Sequence, residues 1–155
     1  MNLRPARPED REALAALFAD FGDYYAELAP HDFKRPDLAQ FSPPPDAPDT
    51  LHLVAEQDGA IVAAIYAVIL PAEDEHGTDP GLARPRMRIE FLATSTARRR
   101  TGAGTALVEA AETWARERGV TLAETWTYAR SPLSMPFWTE RAGYEPRSVI
   151  LRKPL

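Results

Sequence analysis

The sequence predicts a single mixed α/β domain built on a strand–loop–helix–strand crossover. Three observations carry this reading. Residues 86–94 alternate apolar and polar side chains, an amphipathic helix follows from Gly102, and Val120 to Thr127 supplies the next strand. A strand joined to another through a helix pairs with it in parallel. The 155-residue length suits one domain, residues 1–155, with a core of its own. A composition of 45% hydrophobic and 26% charged residues excludes disorder as the dominant state.

In chain order, Leu3 to Arg7 reads as a short first strand. Pro8, at a helix N1 position, and the acids Glu9 and Asp10 then open a helix. Leu14, Leu17, Phe18, Phe21, Tyr25 and Leu28 recur at helical spacing, and Pro30 ends the run. Six prolines between Pro30 and Pro48 make most of that stretch loop, with room for a short helix around Pro36 to Phe41. Leu51 to Glu56 and Ala60 to Leu70 are strands joined at the turn Asp58-Gly59. An acidic loop with Glu73, Asp74, Glu75 and Asp79 follows. In the strand Arg86 to Thr94, alternation points Ile89, Phe91 and Ala93 one way and Arg88, Glu90, Leu92 and Thr94 the other. Leu107, Ala111 and Trp114 line one side of the next helix, with Trp114 and Phe18 read as core, and Gly119 suits its C′ position. Pro132 to Arg141 reads as a helix and Tyr144 to Leu151 as a last strand.

Several function classes fall away on composition. The chain has no cysteine, which excludes a disulfide scaffold, a thiolate zinc site and a cysteine nucleophile. No His/Asp/Glu spacing resembles a metal site, so none is expected. His31 and His76 sit in loops beside acids and read as surface residues, while His52 in a strand reads as structural. No apolar run approaches the ~18 residues of a membrane span, and Met1 to Asp10 is charged where a signal peptide would be apolar. A soluble cytoplasmic protein is expected. Within a net charge of −5, Arg84, Arg86, Arg88, Arg98, Arg99 and Arg100 face only Glu90 in their segment. Local basicity in an acidic chain points to a small anionic ligand and away from nucleic acid.

The segment with most chemistry is Arg99-x-x-Gly102-x-Gly104, between a strand and an amphipathic helix. Glycines there let the backbone approach an anion, and the open N–H groups of the helix start point at it. Thr101 and Thr105 add hydroxyls, and the arginines add charge-assisted bonds to phosphate oxygens. A P-loop would end in Gly-Lys-Ser/Thr, whereas Gly104-Thr105-Ala106 stands here. A dinucleotide fingerprint would need a small residue at Leu107. The bland alternative is a tight turn, which the three preceding arginines make less apt. Glu90 is either a catalytic carboxylate on the side of Leu92 and Thr94 or a solvated group paired with an arginine.

Leu92-Ala93-Thr94 followed by Arg99-x-x-Gly102-x-Gly104 resembles the signature strand and pyrophosphate loop of the GNAT superfamily of acyl-CoA-dependent N-acetyltransferases. The opening Leu3-Arg-Pro-Ala-Arg-Pro-Glu-Asp10 and the late Phe137-Trp138 with Ala142-Gly143-Tyr144 extend the resemblance over most of the chain. It implies the GNAT fold, a central mixed β-sheet of about six to seven strands flanked by helices. It implies acetyl transfer from acetyl-CoA to a primary amine of a small molecule or peptide by direct attack, with no metal. The family is often dimeric, so a homodimer is allowed.

The backbone of Leu92, Ala93 and Thr94 would bind the pantetheine arm and polarise the thioester carbonyl. Arg99, Arg100, Thr101, Gly102, Ala103, Gly104 and Thr105 would hold the coenzyme A pyrophosphate. Glu90 matches a glutamate that acts on the amine through water in several members. Ser131, Ser134 and Phe137 match an Asn-x-x-Ala/Ser-x-x-Phe-Tyr pattern on the cofactor side. Here Ser131 replaces the common Asn, and Trp138, or Thr139 after a one-residue shift, replaces the proton-donating Tyr. One extra residue separates Trp138 from Gly143. The acid is then a water or a hydroxyl of Ser134, Tyr128 or Tyr144, and Trp138 is expected to pack against the pantetheine arm or the core. The acids of residues 20–32 and 73–79 would favour a cationic acceptor. A non-catalytic acyl-CoA-binding or sensing module is the alternative, and a nucleotide-binding regulator a further one.

Overall fold

The computed structural model describes residues 1–73 and 76–153, and its first unit, residues 1–125, is organised on one five-stranded sheet. The strands β1 (Asn2–Pro5), β2 (Thr50–Gln57), β3 (Ala60–Leu70), β4 (Arg86–Thr94) and β5 (Ala123–Thr125) lie side by side in chain order. Every pairing is antiparallel except β4 with β5, which is parallel. The crossover between them is α2 (Ala103–Glu117), as the sequence pattern predicts. The mixed α/β class holds, with five strands among the described residues where about six to seven were expected.

The helix α1 (Arg11–Leu28) starts after a 3-10 turn at Pro8–Asp10. Its apolar stripe sets Leu14 and Leu17 on Val54, Ala64 and Ala93. Side chains alternate along β3, so Ala63, Ile65 and Ala67 face the opposite way, and all three are fully buried. The α2 residues Leu107, Val108, Ala111 and Ala115 are buried on the same sheet. Trp114 is only half-buried, with the Arg118 guanidinium 4.7 Å from its ring centre, so it is not core. Phe18 is likewise half-buried, stacked against Phe41 and Phe91.

The Pro-rich stretch after α1 is tied down along that helix. A Cβ at Gly22 would overlap the Pro36 ring, so the glycine is what lets the loop lie on α1. Phe33 packs on Tyr25 at 5.0 Å and Phe41 on Phe18 at 5.4 Å. A 3-10 turn at Leu38–Gln40 falls within the short helix expected there.

The second unit, residues 126–155, contains the helical turn α3 (Ser134–Pro136) continued by a π-helical turn at Phe137–Arg141. Ala142 N–H bonds to Phe137 C=O at 2.9 Å, an i→i+5 closure. That closure accommodates one residue more than an α-helical turn, and Gly143 then leaves the helix at φ 74°. Trp138 is buried, with Phe137 and Tyr144 rings each 5.1 Å away. The expected strand Tyr144 to Leu151 does not form: Pro146 lacks a donor, and Val149, Ile150 and Leu151 stand exposed. Among the described residues no helix is long and apolar enough to cross a membrane.

One ionic knot fixes the start of the chain. Arg4 on β1 donates to both carboxylate oxygens of Asp10, at 2.7 and 2.9 Å, and through Nε to Glu56 at 2.9 Å. Asp10 also accepts the Arg7 amide at 2.8 Å. The Arg4 hydrogen bonds, helped by the Arg7 amide, hold the buried Asp10 carboxyl below its ordinary range. Its stabilisation is therefore present in full above about pH 4 and is lost as pH falls through the depressed folded value. Asp10→Asn should lower the unfolding free energy by about 1.5–3 kcal/mol at pH 7. Urea titrations from pH 7 to pH 2.5 should show the difference from wild type shrinking at the acid end.

Candidate active site

The site is built around an irregularity in β4. Ladder pairs run Ala64 with Ala93, Ile65 with Leu92 and Tyr66 with Phe91, then jump to Ala67 with Ile89. Glu90 is the extra residue of a β-bulge. A bulge moves every residue beyond it to the other face. Arg86 and Arg88, paired with Leu70 and Val68, therefore share the α1 face with Phe91 and Ala93. Leu92 and Thr94, paired with Ile65 and Ala63, share the α2 face with Ile89. This corrects the alternation read from sequence, which set Glu90 beside Leu92 and Thr94. Glu90 is exposed and lies instead next to Arg88, 3.6 Å from its Nη1.

The bulge also ends the parallel pairing. β5 pairs with β4 only from Met87 to Ile89, so the strand expected over Val120 to Thr127 is cut to Ala123–Thr125. Thr125 Oγ1 closes the contact by donating to Ile89 C=O at 3.0 Å. Among the described residues no strand covers that edge of β4 from Glu90 to Thr94. An uncovered edge offers backbone donors and acceptors to an extended ligand.

Beyond β4 the chain enters the arginine–glycine loop. Ser95 N–H bonds to Val62 C=O at 2.8 Å. Asp20 on α1 accepts from Thr96 through both the amide, at 2.9 Å, and the hydroxyl, at 3.1 Å. A 3-10 turn spans Thr96–Arg98, and Thr101 Oγ1 donates to Arg98 C=O at 3.1 Å. Arg100 and Gly102 both adopt left-handed backbone, at φ 67° and 84°. The first bond of α2 joins Ala106 N–H to Gly102 C=O at 3.0 Å. The amides of Ala103, Gly104 and Thr105 precede it and are the orphan donors of the helix start. Arg99, Arg100, Thr101 and Gly102 are exposed around them, and Arg99 lies 5.4 Å over the Tyr24 ring. Loop and helix end together form a cationic, donor-rich nest that suits a pyrophosphate.

The basic segment is thus not one patch. Arg86 is buried between Glu73 and Glu124, Arg88 bonds to Glu124, and Arg98 meets Asp58 at 3.3 Å. These ion pairs raise the Arg86 guanidinium further, Glu73 first. The acids are divided as well. Asp23 and Glu27 face Arg35, Asp79 accepts the Gly81 amide, and Asp74 and Glu75 lie outside the described residues. In the second unit Ser131 is buried and its Oγ accepts the Ser134 amide at 3.0 Å, while half-buried Phe137 meets Trp138. Thr139 Oγ1 donates to Met135 C=O at 2.9 Å.

Sequence reasoning missed Tyr66, Tyr24 and Glu124, and it read Asp20 as an acceptor-side acid where the structure has it accepting from Thr96. Tyr66 faces Phe91 across the bulge, and burial, then Glu90, pushes its phenol upward. Its neighbour His52 is held down by burial, with ring centres 5.8 Å apart. Asp20, Tyr24 and Glu124 act on residues far away in sequence, so no local pattern marks them.

A parallel crossover whose helix begins in a cationic nest, beside an open strand edge, defines an α/β domain suited to a long phosphorylated ligand. Residues 14–144 match the acetyltransferase (GNAT) family, and the chain belongs to that family. Its general activity is therefore acetyl transfer. A tetramutant of the BH1408 protein from Bacillus halodurans superposes with a TM-score of 0.84 at 17% identity, covering 100% of both chains. An aminoglycoside acetyltransferase from an uncultured soil metagenomic sample, in complex with sisomicin, has a TM-score of 0.66 at 19% identity, covering 99% of this chain and 95% of that one. The aminoglycoside N-acetyltransferase AAC(6')-Iy in complex with CoA has a TM-score of 0.66 at 17% identity, covering 99% of this chain and 100% of that one. No curated protein matches the sequence.

The left-handed backbone at Gly102 sets a cost that can be measured. A Cβ there meets nothing within 4 Å, so substitution costs backbone strain alone. Gly102→Ala should destabilise by about 1–2 kcal/mol, and Gly102→Asn by less. The urea midpoint reads both.

Proposed function

We propose that residues 1–155 act as one cytoplasmic N-acetyltransferase domain that moves an acetyl group from acetyl-CoA to a primary amine. The observation that carries this reading is the nest at Arg99 to Thr105, placed where the open edge of β4 ends. In it Arg99 and Arg100 and the amides of Ala103, Gly104 and Thr105 hold the pyrophosphate, with the hydroxyls of Thr101 and Thr105 beside them. The backbone of Leu92, Ala93 and Thr94 aligns the pantetheine arm. Acetyl-CoA supplies the activated acyl group.

The chain's own task is to position the amine and remove its proton. An alkyl ammonium with a pKa near 10.4 is only about one part in a thousand free amine at neutral pH. Glu90 is the base, taking the proton through a water as the nitrogen attacks the thioester carbon. The C–N bond forms, the C–S bond breaks, and the departing sulfur takes a proton from water or a nearby hydroxyl. A thiol of pKa about 8.5 needs little help to leave, which fits a buried Trp138 where an acid is common. The acceptor is a cationic small molecule or peptide amine. Two structural neighbours are named as aminoglycoside acetyltransferases, one of them in complex with sisomicin, which makes aminoglycosides the first acceptors to test.

Two measurements test the reading. Gly104 is buried in the first turn of α2, and Gly104→Val should abolish coenzyme A binding by calorimetry while circular dichroism stays native. Unchanged affinity would refute the nest. Glu90→Gln should lower kcat by about 10²–10⁴-fold with coenzyme A affinity preserved. Wild-type kcat from pH 6 to 9 would remove Glu90 from the mechanism.

A further inference from the structure

Arg88 stands between two carboxylates and is committed to the one that is not the proposed base. Glu124 Oε1 on β5 accepts from Arg88 Nε at 2.8 Å and from Arg86 Nε at 2.9 Å. Glu90 Oε1 is 3.6 Å from Arg88 Nη1, outside hydrogen-bond range. The arrangement is anchored from behind. The Arg86 side chain is 1% exposed and pairs with Glu73 on its other side, so losing Glu124 would leave its buried Nε without an acceptor. Glu124 is fixed by Arg86, and Arg88 follows Glu124.

We infer that Glu124 is a positioning residue for acetyl transfer: it holds Arg88 on the β5 side and so keeps Glu90 from closing a tight ion pair. This rests on Glu90 being the base. A guanidinium bonded directly to that carboxylate would stabilise its charged form and weaken it as a proton acceptor. Tyr66 on β3 also lies near Glu90, and α1 brings Phe18 and Phe21 onto the adjacent Phe91. Arg88 is thus a cation beside Glu90, and Glu124 holds its Nε on the β5 side.

The test follows the Glu90 carboxyl by carbon-13 NMR in the protein alone and kcat against pH in the enzyme. Glu124→Gln keeps a neutral acceptor for Arg86 and leaves Glu73 charged, and a thermal melt checks that it folds. In that variant Arg88 turns to Glu90, the carboxyl titrates at lower pH than in wild type, and kcat falls about tenfold, within the range such a base supplies. Arg88→Gln should move the titration the opposite way, and it decides the matter if Glu124→Gln fails to fold. A Glu90 titration unmoved in folded Glu124→Gln, or in Arg88→Gln, overturns the inference. Full kcat in Glu90→Gln would instead remove the base itself, a failure that the NMR titrations tell apart.

Discussion

The extra residue at Glu90 is the constraint on which the rest of the site depends. β4 needs Ile89 and Met87 buried toward α2 and Phe91 and Ala93 turned toward α1. No regular strand can give both, because one residue of spacing separates the two requirements. The bulge reconciles them, and its by-products are functional. It puts a carboxylate at the sheet's irregular point, it ends the pairing with β5 at Ile89, and it leaves the last stretch of β4 without a strand partner on that edge among the described residues. The anion nest then begins at Arg99, after the Ser95–Arg98 connection that follows that edge.

Electrostatics in this protein is a matter of allocation more than of total charge. The same short segment supplies Arg86 and Arg88 to an internal ladder and Arg99 and Arg100 to the loop surface. The internal pair sits on a half-shielded sheet face, where Coulomb forces are less screened than in water. α1 contributes to the loop without entering it: Asp20 fixes Thr96 and Tyr24 supports Arg99. The helix that carries part of the core therefore also sets the geometry of the nest.

Much of this fold is legible in the sequence where local pattern and tertiary demand agree. The helical spacing of Leu14, Leu17 and Phe18, the Asp58-Gly59 turn, and the Arg99-x-x-Gly102-x-Gly104 loop all lie where the residues point. Reading failed where a long-range pairing decided the outcome. Alternation along Arg86 to Thr94 looks regular because a bulge substitutes no residue type, so the face of Arg88 was wrong. The β propensity of Val149, Ile150 and Leu151 suggested a strand, but a strand needs a ladder partner as well as propensity. The hold of Glu124 on Arg86 and Arg88 spans 38 and 36 residues, beyond any motif window.

The π-helical turn at Phe137–Arg141 has an evolutionary meaning. A residue added within an α-helix would ordinarily rotate all that follows by about 100°. Here the wider closure from Ala142 to Phe137 holds one more residue than an α-turn, as such an addition requires, and Tyr144 still reaches back to Trp138 C=O at 2.8 Å. Such a turn acts as a shock absorber for insertions, so the segment can change length by one residue without disturbing its neighbours. Comparisons with shorter relatives should place their gap inside this turn, between Trp138 and Gly143, and not in the loops on either side.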